Sequence, residues 1–269
     1  MRASAGGRLI GYEEAGSGTP LLLLHGFPFT RRMWAPQLAG LTGRARCIAP
    51  DLRGFGETPA DPPFTMDQYA EDAIALLDAL GIIEPVVVCG FSMGGYIALA
   101  LWRRHPDRVR ALILANTRAN ADGPEAVAGR HAIIGVARRD GPAAVAKQLA
   151  PKWLSPHTQR RSPETLGGLE AMAAAQSVEG IVGASEAMLH RPDSMATLAT
   201  ITIPTLIVVG EDDAITPPDV AEAMHRAIPH SRLEQLRLAG HLSSVERPAA
   251  FNGVVAEFLA RVGSAEQRV

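Results

Sequence analysis

Cysteine is scarce in this chain of 269 residues: Cys47 and Cys89 stand alone. Both lie inside apolar, strand-like runs, where a buried free thiol is the ordinary state, and nothing points to a disulfide framework. No stretch approaches the ~18 consecutive apolar residues of a membrane span. The opening Met1-Arg2-Ala3-Ser4-Ala5-Gly6-Gly7 has no apolar core of the kind a signal peptide carries. A cytoplasmic protein with no membrane partner is therefore expected. Basic excess is missing too: the formal net charge is −2, which argues against a nucleic-acid partner. No histidine pair has metal-ligand spacing with a convincing partner, so no metal site is expected. Gly90, Gly94 and Gly95 do not form G-x-G-x-x-G, and no dinucleotide fingerprint follows a strand elsewhere. Internal repeats and low-complexity tracts are absent.

What remains is ordinary globular composition, with 47% hydrophobic and 20% charged residues. The length suits one large α/β domain with a modest insertion. Apolar strand-like runs alternate with amphipathic helical ones, the signature of a mostly parallel sheet. Arg8 to Glu14 reads as an edge strand, closed by Gly16-Ser17-Gly18. Leu21 to Leu24, Arg46 to Ala49, Pro85 to Cys89, Val109 to Ala115, Pro204 to Val209 and Leu233 to Leu238 read as further strands. Trp34 to Leu41, Asp67 to Leu80, Val220 to Ile228 and Arg247 to Val262 read as helices, the last burying Phe251, Val254, Val255, Phe258 and Leu259 at helical spacing. Between Asn120 and Leu198 the alternation stops, and every segment there has a helical pattern.

Gly90-Phe91-Ser92-Met93-Gly94 is the most informative stretch. A β-branched strand precedes it, and a segment rich in helix formers follows. G-x-S-x-G at a strand-to-helix junction forces the serine into a sharp turn with its hydroxyl exposed. The glycines are needed because side chains there would collide with the neighbouring helix and strand. The following helix aims its positive N-terminus at any oxyanion formed on the serine. A serine hydroxyl is a poor nucleophile until a histidine takes its proton, and a carboxylate must hold that histidine. Gly210-Glu211-Asp212-Asp213 ends one strand-like run, and Ala239-Gly240-His241 follows the next. Acid and base thus stand on the same sheet edge as Ser92, in the chain order expected of this architecture.

On these residues the chain resembles a serine hydrolase of the α/β-hydrolase superfamily. His25-Gly26-Phe27-Pro28 resembles the oxyanion-loop motif after the third strand, and Asp51-Leu52-Arg53-Gly54-Phe55-Gly56 the turn after the fourth. Arg32-Met33-Trp34, Leu77-Asp78-Ala79-Leu80-Gly81-Ile82 and Ala115-Asn116-Thr117-Arg118-Ala119 resemble the branch of 3-oxoadipate enol-lactonases and small carboxylesterases. The resemblance implies an α/β-hydrolase fold in which Ser92 is the nucleophile, Asp213 the acid and His241 the base. It also implies that the backbone N–H groups of Phe27 and Met93 form an oxyanion hole. Asp212 is the alternative acid, but the family pattern, three residues after the glycine and three before Thr216-Pro217, selects Asp213. His25 is expected to stabilise its loop by hydrogen bonding, and Arg53 and Glu57 to tie down the turn after Asp51.

Residues 1–119 and 199–269 are thus expected to form the core and residues 120–198 a helical cap between the sixth and seventh strands. The other reading of 120–198 is a packed helical subdomain without substrate contact; Trp153 fits a pocket wall and core packing equally well. The activity implied is cleavage of a small ester or lactone through an acyl-enzyme, with no cofactor. Carbon–carbon bond hydrolysis, a perhydrolase side reaction and a ligand-binding receptor on the same fold are the competing readings. A serine at the nucleophile position argues against dehalogenase or epoxide-hydrolase chemistry, which needs a carboxylate there.

Overall fold

Runs of Leu, Val, Ile and Ala form the middle of the molecule because they are apolar on both faces of a strand. In the computed structural model, which describes residues 1–266, they make an eight-stranded sheet. The strands are β1 (Arg2–Ala5), β2 (Arg8–Ala15), β3 (Pro20–Leu24), β4 (Arg46–Pro50), β5 (Val86–Phe91), β6 (Val109–Ala115), β7 (Thr205–Gly210) and β8 (Arg232–Leu236). Their order across the sheet is β1-β2-β4-β3-β5-β6-β7-β8. From β4 to β8 every pairing is parallel; β1 and β2 run antiparallel to their neighbours.

The helices of the core are α1 (Ala35–Gly40), α2 (Met66–Ala79) and α3 (Met93–Arg104). Six more follow β6: α4 (Pro124–Asp140), α5 (Pro142–Leu149), α6 (Pro156–Arg161), α7 (Pro163–Ala174), α8 (Val178–Leu189) and α9 (Met195–Leu198). After β7 come α10 (Pro218–Ala227), α11 (Ser243–Glu246) and α12 (Pro248–Glu266). Successive strand residues go to opposite faces, as a pleat requires. Leu22, Leu24 and Val88 join Leu76 of α2, Ile97 of α3 and Met224 of α10 in one apolar cluster. Leu21, Leu23, Val87 and Cys89 join Leu38 of α1 and Phe251 and Phe258 of α12 in the other. Both thiols are buried and unpaired, as expected of cysteines in central strands. Helix α2 starts where Thr65 accepts the Gln68 N–H as its cap, an interaction typically worth about 1 kcal/mol.

One expectation needs correcting. The second strand is not the edge, because β1 pairs outside it with Arg2 opposite Gly11 and Ala5 opposite Arg8. Gly6 and Gly7 close that hairpin with φ of +55° and +78°, the left-handed conformation a tight two-residue turn demands. β1 is too short and too exposed to carry a readable pattern; only Ala5 is buried.

The segment between β6 and β7 is helical throughout, as the lost alternation implied. It sits on the core through polar and apolar contacts. The Gly56 N–H donates to Gln176 Oε1 at 2.9 Å, and Ser177 Oγ donates to the Gly54 carbonyl at 3.4 Å. Arg191 pairs with Asp122 at 2.9 Å and lies 4.1 Å above the Tyr96 ring, clamping the two ends of the insertion to α3. Trp153 is packed in the core against Phe29, ring centroids 4.9 Å apart, so packing accounts for it.

Candidate active site

The strand β5 ends in Phe91, and the chain turns directly into α3. At that turn Ser92 has φ +51° and ψ −112°, a strained conformation for a residue with a side chain. The turn holds because it is tied on all sides. The Ser92 N–H donates to the Ala115 carbonyl at 2.9 Å, and the Ser92 carbonyl accepts from Thr117 Oγ1 at 2.8 Å and from Gly95 N at 2.9 Å. A Cβ at Gly90 would run into the Gly94 carbonyl, and one at Gly94 into the Leu24 carbonyl, so both positions need glycine.

The histidine arrives on the loop after β8 and the aspartate on the loop after β7. His241 Nε2 lies 3.0 Å from Ser92 Oγ, while its Nδ1 lies 2.9 and 3.0 Å from the two Asp213 oxygens. A carboxylate only accepts, so Nδ1 carries the hydrogen and Nε2 is left free to accept the serine proton. Asp213 and His241 are buried, whereas Ser92 is partly exposed. Asp212 points away: its side chain is exposed and its N–H donates to the Ala239 carbonyl. The Phe91 ring backs His241 with centroids 5.3 Å apart.

Asp213 has more partners than the histidine. Its Oδ1 accepts from Ile215 N at 2.8 Å and Thr216 N at 2.9 Å; its Oδ2 accepts from Thr216 Oγ1 at 2.6 Å and Asn116 Nδ2 at 2.8 Å. Burial alone would raise the carboxyl, but His241 and the hydrogen bonds from His241, Asn116 and Thr216 outweigh it. The group is held well below the usual carboxylate range and stays ionised.

Met93 holds the first position of α3, where the N–H has no carbonyl within the helix to bond. Phe27 lies between two apolar groups: it packs on the core beside Phe55, and on a cluster from the insertion that includes Ile133, Ile134, Val145 and Ile181. His25, in the same loop, is fully buried. Its Nδ1 donates to the Gly26 carbonyl at 3.0 Å, and its Nε2 accepts from Leu52 N at 2.9 Å, so it ties the loop after β3 to the Asp51 turn. Arg53 forks onto both oxygens of Asp72 at 2.7 and 2.8 Å. Glu57 pairs with Arg31, whose guanidinium also meets Asp51. These are the loop-fastening contacts anticipated for His25, Arg53 and Glu57. A cleft of about 460 Å³ between the Asp51 turn and α7 is lined by Arg31, Glu57, Met172 and Gln176, not by Ser92 or His241.

Residues 19–248 match the protein family described as alpha/beta hydrolase fold. The chain belongs to the α/β-hydrolase family. It is 35% identical over 231 residues to the 3-oxoadipate enol-lactonase 2 of Acinetobacter baylyi, covering 85% of this chain and 84% of that protein. Among solved structures, a thermophilic esterase from Thermogutta terrifontis superposes with a TM-score of 0.94 at 38% identity, over 97% of this chain and 98% of the other. The enol-lactonase of Burkholderia xenovorans LB400 follows with a TM-score of 0.90 at 30% identity, over 97% and 100%. This α/β-hydrolase therefore has esterases and lactonases as relatives.

Sequence reading missed two members of the site. Asn116 was visible only as part of a scaffold likeness, although it bridges Asp213 and, at 3.3 Å, the Gly240 carbonyl. Thr216 was a spacing marker, yet its hydroxyl donates to Asp213 at 2.6 Å. A polar residue ending an otherwise apolar strand on the active edge was the available signal for Asn116. Among the described residues, no helix is long and apolar enough to cross a membrane, and no group of three or more His, Cys, Asp or Glu could hold a metal ion.

Proposed function

We propose that this α/β-hydrolase cleaves a carboxylic ester or lactone of a small apolar substrate by two-step acyl transfer. The observation that carries the proposal is the unbroken hydrogen-bonded line from Ser92 Oγ through His241 to Asp213. Ser92 attacks the carbonyl carbon as His241 Nε2 takes its proton. The N–H groups of Phe27 and Met93 hold the oxyanion, an effect typically worth about 3–4 kcal/mol per donor. His241 returns the proton to the leaving alkoxide; it then takes a proton from the water that attacks the acyl carbon and passes it to Ser92 Oγ as the bond to the acyl group breaks and the acid leaves. Asp213 fixes the imidazole tautomer and stabilises its charge. Residues 120–198 act as a cap over the site. What favours an apolar acyl group is the aliphatic cluster of the insertion against Phe27. A chemistry that runs on a serine and a histidine asks for no cofactor.

The test combines labelling with a substrate panel. A fluorophosphonate should add once per chain, on the peptide carrying Ser92, and p-nitrophenyl esters and lactones of increasing size should be hydrolysed. β-Diketones belong in the panel, because turnover confined to them would replace the ester reading with carbon–carbon bond hydrolysis. Label on another residue, or ester hydrolysis that survives Ser92→Ala, would overturn the proposal.

A further inference from the structure

Glu246 gives both carboxylate oxygens to backbone N–H groups. Oε1 accepts from Gly240 N at 2.7 Å and Oε2 from Ser155 N at 2.8 Å. Among the described residues it has no ion-pair partner, so neither oxygen is occupied by a cation. The two amides belong to different parts of the molecule. Gly240 immediately precedes His241, whereas Ser155 stands in the helical insertion, at the cap of α6.

The junction continues on either side. On the far flank of His241, the Leu242 N–H donates to the Trp153 carbonyl at 3.0 Å. Ser155 Oγ lies 3.3 Å from the Leu238 carbonyl, which it can serve as donor. Insertion residues 153–155 therefore meet the loop at 238, at 240 through Glu246, and at 242. The approach is close: a Cβ on Gly240 would sit 2.5 Å from Ser155 N. Trp153 and Leu154 are buried in the sheet-side cluster, so this part of the insertion is fixed to the core.

We propose that Glu246 is a positioning residue that couples the seating of the insertion to the alignment of His241. This rests on the reading of His241 as the base of an acyl transfer. Hydrogen bonds to an ionised acceptor are roughly twice as strong as neutral ones, which suits a carboxylate to joining two loops. Without it the loop has a glycine beside the histidine, the residue that resists rotation least. The insertion then serves as a splint for the base.

The experiment is steady-state hydrolysis of p-nitrophenyl acetate and p-nitrophenyl octanoate by wild type, Glu246→Ala and Glu246→Gln, normalised to the folded fraction from circular dichroism. Misplacing a catalytic group by about 1 Å can cost on the order of 10²-fold, so Glu246→Ala should lose about 10–100-fold in kcat. KM should stay within about threefold, and the loss should match for the short and the long ester, because the fault lies in the base and not in substrate contact. Glu246→Gln keeps one acceptor oxygen and should fall between wild type and Glu246→Ala. Undiminished kcat in Glu246→Ala overturns the inference, as does a loss confined to KM that grows with acyl length. A folded wild type that hydrolyses neither ester strikes the acyl-transfer reading instead and takes this inference with it.

Discussion

Asn116 donates from Nδ2 to Asp213 Oδ2 at 2.8 Å, from a backbone held at φ +46° just beyond β6. Asparagine is one of the few residues with a side chain that tolerate this left-handed conformation. Its Oδ1 accepts from Ser243 Oγ, so one amide links Asp213 to the loop that carries His241. Buried hydrogen bonds to a charged group contribute about 1.5–3 kcal/mol net. Asn116→Ala should therefore lower kcat/KM by about 10–100-fold. Asn116→Asp sets a second carboxylate beside the first and should be worse. Steady-state kinetics on folded protein reads both, and an unchanged kcat/KM in Asn116→Ala would remove Asn116 from the site.

Ser92→Ala should lower kcat by on the order of 10⁴–10⁶ while the fold survives, since one small side chain replaces another. Retention of a tenth of the activity would sink the assignment. The turn supplies a second readout. At φ +51° a side chain is strained, so Ser92→Gly should melt above Ser92→Ala despite glycine's greater chain entropy. Equal or reversed melting temperatures would mean that the turn stores no strain.

Asp213→Asn should cost on the order of 10⁴-fold in kcat, because an amide cannot hold His241 in the required tautomer. Asp212→Asn should be nearly silent, since that carboxylate is exposed while the hydrogen bonds to His241 come from Asp213. The reverse ranking would move the acid to Asp212.

The fold was legible because its elements are local patterns. The apolar runs ending at Leu24, Ala115 and Val209 announce buried strands, and the positions of Ser92, Asp213 and His241 at strand ends put them on one edge of the sheet. The structure brings those three within hydrogen-bonding distance. What stayed illegible depends on partners far along the chain. Asn116 reaches Asp213 across 97 residues, and Glu246 reaches Ser155 across 91, so no spacing rule connects them. β1 was missed for another reason: four residues with one buried side chain hold no period, and only pairing with β2 makes them a strand.

His25 is fully buried, and burial pushes its imidazole down to about 4, against smaller upward contributions from the Gly26 carbonyl and Asp51. An unfolded histidine binds its proton near pH ~6.5, so between that value and about 4 the unfolded chain holds a proton that the native chain refuses. Stability therefore rises with pH across this window. The contribution is complete above ~6.5 and falls by on the order of 3 kcal/mol as pH drops to about 4. Asp213, held below the usual carboxylate range, loses its contribution only at lower pH, so the two windows are distinct. Urea unfolding of wild type near pH ~7 and pH ~5 should differ by about 2 kcal/mol more than the same pair for His25→Gln, which cannot titrate. The variant should be the less stable protein near pH ~7, because glutamine does not reproduce both ring hydrogen bonds. Equal pH slopes for the two proteins would show that native His25 takes up its proton over the same range as the unfolded chain, which its Nε2 could not do while accepting from the Leu52 N–H.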